Sequence, residues 1–328
     1  MRVLVTGAAG FIGSHFTRYW LREHPADEVI ALDALTYRGI RANLPADVPF
    51  VHADIASADV EGIDVVVNFA AESHNSLAVL DPGRFFRTNV LSTQALLESC
   101  RRAGVQRFHH VSTCEVYGDL ALDATEAFHE ESPYRPRTPY NASKAGADHA
   151  VRSYFETFDL PVTITNCANN YGPNQFPETV LPLFTTRALT GERLPVYASS
   201  GNRREWIHVL DHCRAIDAVL RDGVVGRTYH VGTGVEASVD QIADLVLDEL
   251  GLPPSRKQVV ADRPGHDRRY LLDSSRIGRE LGWRPEIGFE AGVRDTIRWY
   301  AANRAWWEPL LELSAIDESA WAQRSLTR

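Results

Sequence analysis

Tyr140 and Lys144 stand four residues apart in a chain that has thirty-two arginines and two lysines, a bias that marks Lys144 as kept for its own chemistry. On a helix, positions i and i+4 share a face, so an ammonium beside a phenol favours the anion and draws a pKa of about 10 towards neutrality. On this reading Tyr140 is a general base for a hydroxyl proton, with Lys144 holding the phenolate. The same spacing occurs on solvated helix faces, so the pair gains meaning only from the residues around it.

A second constellation lies at the amino terminus. The apolar run Val3 to Val5 leads into Thr6-Gly7-Ala8-Ala9-Gly10-Phe11-Ile12-Gly13, and the periodic stretch His15 to Leu21 reads as a helix. Glycines at such a strand-to-helix turn let the backbone approach a pyrophosphate, whose charge the free N–H groups of the helix start receive. The next strand, Glu28 to Leu32, ends in Asp33, where a carboxylate accepts the ribose hydroxyls of an adenine dinucleotide and repels a 2'-phosphate. The expected cofactor is therefore NAD, with Asp54, Ile55, Ala70, Ala71 and Asn89 completing its site beside Gly7, Gly10, Phe11, Ile12 and Gly13.

The elements that must position these groups follow a regular alternation. Strands are expected at 49–53, 65–69 and 108–112, a helix at 88–103, and later strands at 162–166 and 228–231. That rhythm implies an α/β fold, a Rossmann-type doubly wound parallel sheet that binds ligands beyond the carboxyl ends of its strands. From about Asn174, prolines and arginine clusters change the texture, and an amphipathic helix at Val239 to Leu250 points to a smaller α/β lid. The expected division is 1–173 with 207–232 for the dinucleotide domain, and 174–206 with 233–328 for the substrate domain. Trp299 to Leu311 reads as a helix on that lid, and the helices near 91–102 and 142–158 carry apolar residues on more than one side, which suggests a homodimer through a helix bundle.

Composition narrows the remaining classes. The 328 residues are 44% hydrophobic, and the net charge of -9 argues against nucleic acid or an anionic membrane as partner. No run approaches the length of a membrane span. Cys100, Cys114, Cys167 and Cys213 show no metal-ligand spacing and no secretory signal precedes the first strand, so a reduced cytoplasmic protein without a metal site is expected.

Taken together, Thr6-Gly7-x-x-Gly10-x-x-Gly13, Asp33, Ser112-Thr113 and Tyr140-x-x-x-Lys144 resemble the extended short-chain dehydrogenase/reductases. More narrowly, Asn68-Phe-Ala-Ala-Glu-Ser-His74, Asn169-Asn-Tyr-Gly-Pro173, Phe176-Pro-Glu178, Arg204-Glu-Trp206 and Gly265-His-Asp-Arg-Arg-Tyr270 are similar to the dTDP-glucose 4,6-dehydratases. The resemblance implies a nucleotide-diphosphate sugar, dTDP- or UDP-linked, as substrate. It assigns proton removal from the sugar 4-hydroxyl to Tyr140, positioning of the 4-oxygen to Thr113 and removal of the C5 proton to Glu115. Arg204 and Arg268 are expected on the diphosphate with Asn170 and Asn202 as amide donors, Tyr270 and His266 at the ribose or base and His74 near the nicotinamide, with Asn169 and Arg137 also among the substrate contacts.

One departure stands at the centre of this likeness. The family places an aspartate, the acid for the departing 6-hydroxyl, where this chain has Cys114, a thiol that donates poorly at neutral pH. The family's Val-Asp-Arg is replaced by Asn75-Ser76-Leu77, and its lysine by Thr179. Three reactions fit such a pocket. One is 4,6-dehydration with Glu115 moving both protons, as in GDP-mannose 4,6-dehydratases, which place a neutral serine before the glutamate. The second is decarboxylation of a nucleotide glucuronate, whose enzymes the run Thr113 to Asp119 also resembles. The third is 5,6-dehydration or epimerisation.

Overall fold

The computed structural model describes residues 1–262 and 265–313; the last part of the expected lid, 314–328, lies outside the described residues. Strand β1 (Arg2–Thr6) is followed by α1 (Phe11–Glu23), β2 (Glu28–Asp33), β3 (Phe50–His52) and β4 (Val65–Asn68). A helical run follows, from α2 (Asn75–Leu80) and α3 (Pro82–Phe85) through a π-type segment, Phe86–Ser92, into α4 (Thr93–Ala103). Then come β5 (Arg107–Thr113), α5 (Pro139–Phe158), β6 (Val162–Cys167), β7 (Asn169–Tyr171), α6 (Val180–Leu189) and β8 (Leu194–Tyr197). The chain continues with β9 (Arg203–His208), α7 (Val209–Asp222), β10 (Thr228–Val231), β11 (Glu236–Ser238), α8 (Val239–Glu249) and β12 (Lys257–Val260).

Seven strands form one parallel sheet in the order β10-β6-β5-β4-β1-β2-β3. The direction of winding reverses between β1 and β4, which opens a crevice at the carboxyl ends of the middle strands. Both faces of the sheet are buried. Val3, Val5 and Val67 pack against Phe16, Trp20, Val209 and Ile216 of α1 and α7, while Leu4, Val66 and Phe108 pack against Leu96, Leu97 and Val151 of α4 and α5. A strand covered twice needs apolar residues at successive positions, which is why Val65, Val66 and Val67 run without alternation.

A second core joins Leu181, Phe184, Trp206, Ile242, Val246, Val293 and Ile297 over the sheets β11-β9-β7 and β12-β8. The expected helix over 299–311 is broken: one helix spans Phe289–Ala302, and after Asn303 the chain makes two short turns, Arg304–Trp307 and Glu308–Leu313. These turns reach back to the first half, where the Trp306 indole donates to Asn43 at 2.9 Å. Among the described residues no helix is long and apolar enough to cross a membrane.

Candidate active site

The glycine turn is built so that only glycine fits. Gly7 has φ +62°, and a Cβ there would stand 2.6 Å from the Ala70 backbone nitrogen; a Cβ on Gly13 would run into the Gly7 carbonyl. Asp33 ends β2 beside this turn, with Oδ2 accepting from Ala9 N at 2.9 Å and Oδ1 from Leu35 N at 2.8 Å. Burial raises its carboxyl pKa against the pull of those N–H groups. A cavity of about 510 Å³ begins here, lined by Gly7, Gly10, Phe11, Ile12, Gly13 and Asp33, then by Asp54, Ile55, Ala70 and Ala71. A turn in which glycine backbone meets a helix start, with a carboxylate at its far end, fits an adenine dinucleotide.

The residues expected to be catalytic lie further along the same cavity. Thr138 caps α5, its Oγ1 accepting from Asn141 N at 3.2 Å, and Pro139 occupies the first turn, so the helix begins just before Tyr140. Tyr140, Lys144, Thr113 and Glu115 all line the cavity. Thr113 ends β5, and its hydroxyl accepts from Glu115 N at 3.3 Å. Lys144 Nζ donates to the Val111 carbonyl at 2.8 Å and lies 3.4 Å from His110 Nε2. Below it, Asn68 Nδ2 meets His110 Nδ1 at 3.1 Å, and Asp148 Oδ1 stands 3.5 Å from His110 Nε2.

Expected and observed electrostatics differ at Tyr140. Burial and the Glu115 carboxylate push the phenol well above its ordinary value; the Thr113 hydroxyl pulls the other way but does not prevail. The i+4 ammonium does not make a phenolate here, because desolvation penalises the charged form of a buried group more than one neighbour offsets. Burial likewise lowers the Lys144 pKa, against the attraction of Asp148.

Several expected residues sit elsewhere. Cys114 is buried behind the wall with Val116, Tyr117, Ala145, Tyr270 and Leu272, and burial beside Glu115 pushes its thiol well up. Asn89 is enclosed, bonding both backbone groups of Glu72 and the Ser143 hydroxyl. Arg268 pairs with Asp119 at 2.6 Å, and Arg137 bridges Asp119 at 2.8 Å and Asp267 at 3.2 Å, away from the cavity. Asn202 donates to Ser199 Oγ at 3.1 Å. His74, Asn169, Asn170, Arg204, His266 and Tyr270 do line the cavity. The Arg204 guanidinium lies 4.7 Å from the centre of the Tyr270 ring and donates to the Asp267 carbonyl at 2.7 Å. Asn170 is partly engaged within the protein, its amide meeting His212 Nδ1 at 2.9 Å and the Ala168 carbonyl at 3.0 Å.

Tyr37 and Arg38 on the wall were not singled out in the sequence, and Glu178 and Asn75 were named only within motifs, without a role. Tyr37 and Arg38 of the loop after β2 meet Glu178, which precedes α6, and His74 Nε2 lies 3.8 Å from the same carboxylate. Asn75 donates to Glu115 Oε2 at 2.8 Å. Partners separated by 40 to 141 positions leave no local spacing to read.

The geometry agrees with comparisons to known proteins. The family model described as GDP-mannose 4,6 dehydratase matches residues 4–296. A dTDP-glucose 4,6-dehydratase of Streptomyces antibioticus is 47% identical over 322 residues, covering 94% of this chain and 95% of that protein. The structure of DesIV, a dTDP-glucose 4,6-dehydratase from Streptomyces venezuelae with NAD and dTDP bound, superposes with a TM-score of 0.91 at 49% identity, covering 94% and 100% of the two chains. A UDP-glucose 4-epimerase of Thermus thermophilus in complex with NAD gives a TM-score of 0.86 at 32% identity over 92% of this chain and 100% of that one. By these matches the chain belongs to the GDP-mannose 4,6-dehydratase family of extended short-chain dehydrogenase/reductases, and its relatives there are dTDP-glucose 4,6-dehydratases.

Proposed function

We propose that the protein is an NAD-dependent lyase that dehydrates a dTDP-hexose, forming a 4-keto-6-deoxy sugar. The observation that carries this reading is the meeting of Tyr140, Lys144, Thr113 and Glu115 in one cavity with the glycine turn. Gly7 to Gly13 would hold the dinucleotide, with Asp33 at its adenosine end. When bound, NAD accepts hydride from C4, returns it to C6 and brings a cationic ring beside the Tyr140 phenol.

The protein's own groups move the protons. With the positive charge of bound NAD added to that of Lys144, Tyr140 would ionise; its phenolate then takes the proton of the 4-hydroxyl and becomes the phenol, while Thr113 holds the 4-oxygen. A ketone at C4 acidifies C5, because the electron pair left behind spreads onto oxygen. Glu115 removes that proton. Since Cys114 lies behind the wall with its thiol pushed up, Glu115 also protonates the departing 6-hydroxyl, and a solvent proton relayed by Glu115 completes C5. The names of the relatives support this first reaction over the decarboxylation and 5,6-elimination alternatives.

Arg204, Asn169 and Tyr270 face the cavity and are assigned to the nucleotide diphosphate and base. Residues 1–173 with 207–232 serve the dinucleotide, and 174–206 with 233–313 serve the sugar nucleotide. The protein forms a homodimer through the helices that carry Phe86, Leu91 and Phe158, three apolar side chains at least 43% exposed. Four free buried cysteines suit a reducing cytoplasm. Incubation with dTDP-glucose and mass analysis of the product tests the reading: loss of 18 mass units supports dehydration, whereas no change, or conversion of UDP-glucuronate with loss of 44, rejects it.

A further inference from the structure

Asn75 is the first residue of α2, and both ends of its amide are committed. Oδ1 accepts from the Thr138 hydroxyl at 2.8 Å, and Nδ2 donates to Glu115 Oε2 at 2.8 Å. A threonine hydroxyl has one proton, and Thr138 gives it to Asn75, which fixes the amide orientation and leaves Nδ2 facing the carboxylate. Thr138 Oγ1 meanwhile accepts from Asn141 N as the cap of α5. One string of hydrogen bonds therefore joins the start of the helix that carries Tyr140 and Lys144 to the base that serves C5.

We propose that Asn75 is a positioning residue for Glu115, holding the carboxylate ionised and aimed for proton removal at C5, and that Thr138 holds Asn75. The proposal rests on the dehydratase reading above. In the step concerned, the C5–H bond breaks, Glu115 takes the proton, and the electron pair moves onto the C4 oxygen. The C6–O bond then breaks, the C5=C6 bond forms, and hydroxide leaves as water with the proton from Glu115. A donor on the carboxylate favours the ionised form, and a fixed oxygen favours one direction of attack. Groups that face Glu115 from other elements include Tyr140 on α5, Cys167 on β6 and Tyr270. Cys114 lies on its own turn, and His74 precedes Asn75 on the cavity wall.

The test is Asn75→Val and Asn75→Asp in the full-length protein loaded with NAD, mixed rapidly with dTDP-glucose. Oxidation at C4 does not use Glu115, so the rise at 340 nm keeps its rate in both variants. The later decay, and deuterium uptake at C5 from heavy water, slow by about tenfold to a hundredfold, the range expected for a hydrogen bond to a charged group. The acidic limb of the rate–pH profile moves to higher pH in both, further in Asn75→Asp, where a second carboxylate opposes ionisation of the first. Decay, deuterium uptake and pH limb all unchanged in Asn75→Val would overturn the proposal. A parent protein with no 340 nm transient would instead overturn the dehydratase reading, and equal slowing of both phases would mark Asn75 as structural only.

Discussion

Glu178 closes on Arg38 across the cofactor cleft, and the hydroxyl of Tyr37 donates to the same carboxylate oxygen at 2.8 Å. Tyr37 and Arg38 belong to the loop after β2, whereas Glu178 comes from the segment leading into α6, so the contact ties these two segments together at the wall of the cavity that also holds the glycine turn. A reaction that uses its cofactor twice per turnover gains from not releasing it between the two uses. Glu178→Gln should therefore weaken NAD retention by roughly tenfold to a hundredfold, since breaking a largely buried charge pair leaves the guanidinium poorly compensated. Nucleotide content after gel filtration reads this directly, and an unchanged NAD content would refute it.

Lys144→Met keeps the length of the side chain and removes the charge. Turnover should fall by about 10² to 10⁴, the usual contribution of a placed acid–base group, while dTDP binding measured by calorimetry stays within a few fold. Because burial and Glu115 already push the Tyr140 phenol up, the variant should also need a higher pH for its residual activity. Loss of dTDP binding in parallel with turnover would show that Lys144 shapes the fold instead.

All four cysteines are buried, and burial raises each thiol, Cys100 and Cys167 to about 12. None should react with a disulfide reagent at pH 8 until denaturant is added, because the thiolate is the reacting form. Cys114→Ser should leave turnover within about threefold, as the small residue packs behind the wall and donates no proton. A fast-reacting thiol, or a large loss in Cys114→Ser, would return Cys114 to the catalytic group.

Buried histidines set the acid side of stability. His15, His109, His212 and His230 are lowered to about 3 and His208 to about 4, mainly by burial. Their folded values lie below the unfolded 6.5, so the unfolded chain binds more protons at acid pH. Stability is then full above pH 6.5 and is lost as pH falls towards 4, at about 1.4 kcal/mol per pH unit for each such histidine. Thermal melts between pH 7.5 and 4.5 should show a steep fall in Tm below pH 6.5. A flat profile would contradict this assignment of buried neutral rings.

Much of this architecture is legible in local sequence, and the rest is not, for physical reasons. Gly7 and Gly13 announce their turn because a backbone that must meet other backbone excludes a Cβ. The helix expected over 142–158 begins three residues earlier, with Thr138 as its cap and Pro139 in its first turn, and the double burial of β4 shows as three successive valines. Strands β7 and β11, each of three residues, carry too few positions for any period to register. Arg268 was expected at the diphosphate and Arg137 elsewhere on the substrate, and nothing in the sequence reveals that Asp119 pairs with both. Tyr140 has its lysine at the expected spacing, yet its titration follows burial, which only the folded chain decides.

The central claim is that one hydrogen travels from ring carbon C4 to the exocyclic C6 of the same sugar while Glu115 exchanges the proton at C5. dTDP-glucose carrying deuterium at C4 tests this most directly, with the product examined by proton and deuterium NMR. The account predicts a 4-keto-6-deoxy product with the label in its new methyl group. A label found again at C4, beside an exocyclic alkene or an inverted hydroxyl, would contradict it.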